Sequence, residues 1–78
     1  MRTILEGRKY RHFKGKAYVV IAIAMHTETE EQCVVYKGMY GDGTVYVRPY
    51  DMFASEVERE KYPDVEQRYR FELIEEEI

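Results

Sequence analysis

Apolar residues recur at every second position through much of this chain, the signature of strands with two unlike faces. The clearest stretch is residues 17–26. Val19, Ile21, Ile23 and Met25 form a bulky set; Tyr18, Val20, Ala22, Ala24 and His26 form the other. The bulky set is the expected core face. The two alanines leave the opposite face open to close approach by another segment or a ligand. Upstream, residues 10–14 (Tyr-Arg-His-Phe-Lys) predict a short first strand, turned by Gly15-Lys16. Downstream, Thr27-Glu28-Thr29-Glu30 breaks the alternation as a polar loop, and residues 31–40 predict the next strand around Cys33 to Tyr36. Gly41-Asp42-Gly43 predicts a tight hairpin turn, because glycine accepts positive φ and Asp-Gly suits hairpin geometry. Residues 44–48 alternate again, with Val45 and Val47 on one side and Tyr46 and Arg48 on the other. Pro49 lacks an amide proton and should end the pairing.

The C-terminal third is less regular. Ser55 followed by Glu58 has capping-box spacing and predicts a short helix over 56–61, closed by Pro63. Residues 69–74 predict a last strand with Tyr69, Phe71 and Leu73 inward, and Glu75-Glu76-Glu77 reads as a solvated tail. These elements predict one domain over residues 1–78. Its class is mainly all-β: a small SH3-like, partly open barrel of about five strands with one short helical segment. An antiparallel sheet with a packed helix is the alternative. The expected core is Val19, Ile21, Ile23, Val35, Val45, Val47 and Phe71.

A chain of 78 residues supports one thin core, so a homodimer or larger ring that covers barrel edges is expected. Eight Tyr and three Phe, with no Trp, suit both a barrel core and a binding face. The single cysteine, Cys33, excludes an internal disulfide and reads as a buried thiol in a reducing, cytoplasmic setting. The longest apolar stretch, Ala17 to Met25, is too short for a spanning helix, and no secretory signal pattern is visible, so no membrane role is expected. The net charge of −3 is unevenly spread: residues 1–50 carry +3 and residues 51–78 carry −6. A basic front can meet an anionic ligand or pair with the acidic tail. The overall acidity argues against duplex nucleic acid as a partner.

Taken in order, several segments resemble the bacterial and phage family DUF1653, a domain of unknown function. They are Tyr10-Arg11-His12-Phe13-Lys14-Gly15, His26-Thr27-Glu28-Thr29, Val34-Val35-Tyr36, Tyr40-Gly41-Asp42, Val47-Arg48-Pro49, Met52-Phe53, and the run from Lys61 to Glu72. The resemblance covers residues 7 to 74 and departs at Tyr46, where the family often has Trp, and at Ala22, where Gly is common. It implies a small standalone domain and brings no activity with it.

The candidate chemistry is that of a binding site. Arg48 offers a planar fork of donors for phosphate or carboxylate, and Tyr10, Tyr36 or Tyr46 can stack on a planar ligand. Arg11 adds charge from the basic front. His26, Thr27 and Glu28 leave a long apolar strand, so their polar groups are expected at a rim near Arg48, unless they serve only to cap the loop. One Cys and two His give no metal-binding pattern. No Gly-rich phosphate loop or nucleophile elbow is present, so catalysis is not the expected role and no cofactor is implied. The reading is a non-catalytic domain for a small anionic or nucleotide-like ligand, one that could sequester a signalling nucleotide. The alternative is an SH3-like adaptor that binds a protein partner.

Overall fold

A computed structural model describes residues 2–75. Of the expected acidic tail, Glu76 and Glu77 lie outside these residues. The described strands are β1 (Lys9–His12), β2 (Ala17–Met25), β3 (Gln32–Gly38), β4 (Val45–Pro49) and β5 (Phe71–Leu73); one helical turn, α1 (Tyr50–Phe53), follows β4. They form one antiparallel sheet in the order β4-β3-β2-β1-β5. The fold is thus mainly β, as the alternation predicts. The sheet does not close into a full barrel, and β4 and β5 are its edges.

The turns follow from local chemistry. Gly41 and Gly43 sit at φ 58° and 71° in the β3–β4 connection, values that suit glycine far better than residues with a Cβ. Pairing of β4 with β3 ends at Cys33 opposite Pro49, whose missing amide lies on the free edge of the sheet. Proline also fixes a helix-compatible φ, and α1 begins at the next residue. The helix expected over 56–61 does not form. Residues 55–57 instead lie beside 68–70: the Val57 amide donates to Arg68 O, the Arg70 amide donates to Ser55 O, and Glu56 bridges Tyr69. Strand-like pairing satisfies the backbone that the capping box would have served. Ser55 ends a helix rather than starting one, its hydroxyl donating to Met52 O at 2.7 Å.

The core is aromatic and lies on the face opposite the one expected. Tyr10, Val20, Val34, Tyr36, Phe53 and Phe71 are buried together with Ile4. Of the seven residues expected inside, only Phe71 is fully buried; Val19, Ile23 and Val35 are partly covered. Ile21, Val45 and Val47 are 47%, 55% and 66% exposed, and Met25 is exposed as well. Two physical causes account for the reversal. Tyrosine covers more apolar area than valine and can be buried when its hydroxyl reaches a partner. Tyr10 accepts the Leu5 amide at 3.0 Å, Tyr36 accepts from Arg48 Nε at 3.2 Å, and Tyr50 bridges the Ile4 amide and Arg2 O. The second cause is a register shift between Val20 and Ala22. Ile21 is the extra residue there, so Val20 and Ile23 both face the core and strict alternation fails. Ile21→Ala should therefore cost only about 0.5–1 kcal/mol, as a surface change. A denaturant melt showing a loss in the range of a buried large-to-small change would return Ile21 to the core.

Candidate functional site

The face of the sheet that bears Tyr18, Tyr36 and Tyr46 carries two adjoining cavities that share His12 and Arg48. The first, about 170 Å³, is walled by Tyr18, Tyr36, Tyr46 and Phe71. The second, about 180 Å³, is lined by Lys14, Lys61, Tyr62 and Arg70, with Glu58 at its margin. Together they reach the low end of the range for small-ligand sites, roughly 300 Å³. A wider hollow of about 540 Å³ lies at Arg2, Asp51, Glu56 and Tyr69. Its cation is already engaged: Arg2 donates to Ala54 O and Phe71 O and stacks 3.9 Å above the Tyr69 ring.

Strand register builds the aromatic wall. Val20, Tyr36 and Tyr46 share one row across β2, β3 and β4, and Tyr18 stands two residues away on the same face. Tyr18 meets Tyr36 edge-on at 5.4 Å, and Tyr36 meets Tyr46 at 5.6 Å between ring centres. Phe71 closes the floor, 5.5 Å from Tyr36, and rests on Phe53 with rings nearly parallel at 4.0 Å. The Tyr18 and Tyr40 hydroxyls lie 2.9 Å apart. That hydrogen bond raises the pKa of Tyr40, and a bond to Tyr40 raises that of Tyr46, so both stay protonated and able to donate.

The cations come from three segments. Arg48 reaches inward from β4, its guanidinium carbon 5.7 Å from the Phe71 ring centre. Among the described residues, Asp51 and Glu75 included, it makes no ion pair. Arg70 lies 3.8 Å from the exposed Glu58 carboxylate and donates from Nε to Ser55 Oγ. Lys14 sits over Phe13 and Tyr62. His12 lies between them, stacked on Phe13 at 4.4 Å and edge-on to Phe71 at 4.9 Å. Its Nδ1 accepts the Lys14 amide. Burial, then the charges of Arg48, Arg70 and Lys14, push its pKa down to about 4. The neutral ring marks a place where the charges of Arg48, Arg70 and Lys14 converge, with Glu58 beside Arg70.

That shift has a consequence for stability. The folded ring stays neutral down to about pH 4, whereas the unfolded ring takes a proton near 6.5. Between those values the unfolded chain binds more protons, so stability falls as pH drops through this window and levels off below it. Because the ring is only partly buried, solvent screening reduces the full linkage, and the expected loss is about 1–2 kcal/mol. Melting curves at pH 7 and pH 5 should show a smaller drop for His12→Asn than for the wild type. Equal drops would assign the pH dependence to other groups.

The structure separates the residues that the sequence suggested as one site. Tyr36 and Arg48 line the cavity. Tyr10 is 1% exposed in the core beneath it and stacks edge-on with Phe53. Arg11 points to the other face of β1 and donates to Gly15 O. His26, Thr27 and Glu28 occupy the exposed β2–β3 turn, where His26 Nδ1 accepts the amides of Glu28 and Thr29. Arg48 is level with Ile23 across the sheet, so His26 lies three residues further along, beyond the end of β2. Tyr46, named with Tyr36 as a stacking partner of Arg48, lines the cavity too; sequence reasoning missed His12, Tyr18, Arg70 and Phe71 as cavity residues. The available signal was that Tyr18, Tyr36 and Tyr46 keep one parity on successive strands.

Fold and cavity together define a small, open β-sheet domain with a basic, tyrosine-walled pocket on one face. The chain belongs to the DUF1653 family, described as a protein of unknown function, whose family model matches residues 8–73. No curated protein and no solved structure matches it. Among the described residues, no cluster of side chains could hold a metal ion, and no helix is long and apolar enough to cross a membrane.

Proposed function

We propose that this domain binds a small anionic molecule with a planar ring, of nucleotide type, without transforming it. The observation that carries the reading is the junction of the two cavities at Arg48. On one side lies a wall of tyrosines on which a base can stack; on the other, Lys14, Arg70 and Arg48 surround a neutral imidazole. Arg supplies paired donors to phosphate oxygens, and aromatic faces take any base by stacking. No nucleophile beside an activating base is found there, which favours sequestration over catalysis. A reducing, cytoplasmic setting suits the free Cys33.

An SH3-like adaptor that docks a peptide on the same tyrosines is the second reading, favoured by their open arrangement between β2 and β4. The two differ in their need for charge at Arg48. A thermal-shift panel of nucleoside monophosphates and cyclic dinucleotides tests the first directly, since stabilisation grows with ligand concentration over Kd. At least one compound should raise the Tm of the wild type and fail to raise that of Arg48→Ala. A panel without effect, or one acting equally on both proteins, rejects the anion site.

A further inference from the structure

We propose that the domain pairs with a second copy of itself along β4, antiparallel, with the two-fold axis at Tyr46. The direction of the backbone groups along β4 leads to this pairing. The Gly38 amide donates to Thr44 O at 3.0 Å, and the register then runs Lys37 to Val45, Tyr36 to Tyr46, Val35 to Val47 and Val34 to Arg48. In an antiparallel ladder, hydrogen-bonded and non-hydrogen-bonded pairs alternate. Tyr46 and Arg48 therefore bond β3, while the amides and carbonyls of Val45 and Val47 point to the free edge. Among the described residues nothing occupies them. Pro49 is next in that outward series and has no amide to offer.

One register satisfies all of these groups. Val45 lies opposite the partner's Val47, and Val47 opposite the partner's Val45, which makes four backbone hydrogen bonds across the axis. A slip one way sets Val45 against the partner's Pro49, which cannot donate. A slip the other way sets Val47 against the partner's Gly43, an amide already given to Tyr40 O within its own turn. The side chains agree with the same register. Val45 and Val47, both more than half exposed, meet the partner's pair as a four-valine cluster on the outer face. The charges complement each other, because Arg48 at one end of the strand lies beside the partner's Thr44, whose hydroxyl donates to Asp42 at 2.9 Å. The far edge of the sheet cannot serve instead. Arg2 already takes the Phe71 carbonyl at 2.7 Å, so a ring built from β4 against β5 is blocked. β4 itself carries no bulge and no lysine that would guard an edge.

The pairing sets a second Tyr46 at the rim of the tyrosine-walled cavity. That consequence rests on the proposed anion site; the pairing itself does not. Sedimentation of the full chain across the micromolar range should give a dimer mass at the upper end. Val47→Pro removes an outward amide that β3 does not use, and should give a monomer with unchanged circular dichroism. Val47→Lys serves the same purpose should the proline disturb the strand. Register is read in a Cys33→Ala background. Tyr46→Cys should oxidise to a covalent dimer, because non-hydrogen-bonded partners bring their Cβ atoms close, and Val45→Cys should not. A wild-type chain that stays monomeric throughout, or an assembly larger than two, overturns the proposal. So does a dimer that survives both Val47 substitutions, or one cross-linked better through Val45→Cys. Each readout is made without ligand, so failure of the anion site would leave them untouched.

Discussion

Replacing Phe71 by alanine should remove about 3–5 kcal/mol of stability, the scale of a buried aromatic lost from a core that cannot collapse around the gap. Phe71 is 1% exposed and is the common neighbour of the aromatic cluster. It stacks on Phe53 and packs edge-on against Tyr18, Tyr36 and His12. Small domains hold only about 5–15 kcal/mol in total, and a chain of this length belongs at the low end. The variant should therefore be largely unfolded at body temperature. Phe71→Leu keeps most of the volume and should lose markedly less. Urea melts of the two proteins check the ranking. A Phe71→Ala loss below about 1 kcal/mol would mean that the core lies elsewhere.

Replacing Arg48 by alanine should weaken binding of a nucleoside phosphate by about 1.5–3 kcal/mol, the range of hydrogen bonds to a charged group. The fold should survive. Within the protein, Arg48 gives up one hydrogen bond to Tyr36 and a contact with Phe71, and no ion pair among the described residues. Arg48→Lys keeps the charge but loses the planar fork, so it should fall between the wild type and the alanine variant. An anion seated beside Arg48 would also offset the positive field on His12 and raise its pKa towards the ordinary value. The bound state then holds more proton than the free state, so affinity should rise as pH falls below neutrality. Melting temperature and ligand titration on the same Arg48→Ala protein separate the roles. Lower stability with unchanged affinity would make Arg48 a structural residue.

Strand positions were legible in the sequence because each strand alternates and each break carries glycine, proline or a polar run. Residues 17–26, 31–40 and 44–48 contain β2, β3 and all of β4 but its final proline. Facing was not legible from hydrophobicity alone. In β4 the rule that the more apolar set is buried points to Val45 and Val47, yet Tyr46 and Arg48 face inward. A tyrosine wall needs hydroxyl partners from Arg48 and Tyr40, and these are distant in sequence. The bulge at Ile21 depends on pairing with β3 and has no local signal. The site was half legible for the same reason. Arg48, Tyr36 and Tyr46 were found as residue types suited to anions and rings. Placing His12 and Arg70 with them required knowing that β1 and β5 are neighbours. The His26-Thr27-Glu28-Thr29 motif was conspicuous, but the His26 ring nitrogen and the Thr29 hydroxyl are used to hold the turn.

The two adjoining cavities that share Arg48 and His12 are proposed to receive one anionic planar ligand. Nuclear magnetic resonance of the labelled chain, titrated with nucleoside monophosphates and cyclic dinucleotides, tests it at residue level. Shifts should concentrate on His12, Tyr18, Tyr36, Tyr46 and Arg48, with the His12 ring titrating at a higher pH in the complex, while His26 to Glu30 stay unchanged. Shifts confined to the β2–β3 turn, or no saturable shift with any compound, would contradict it.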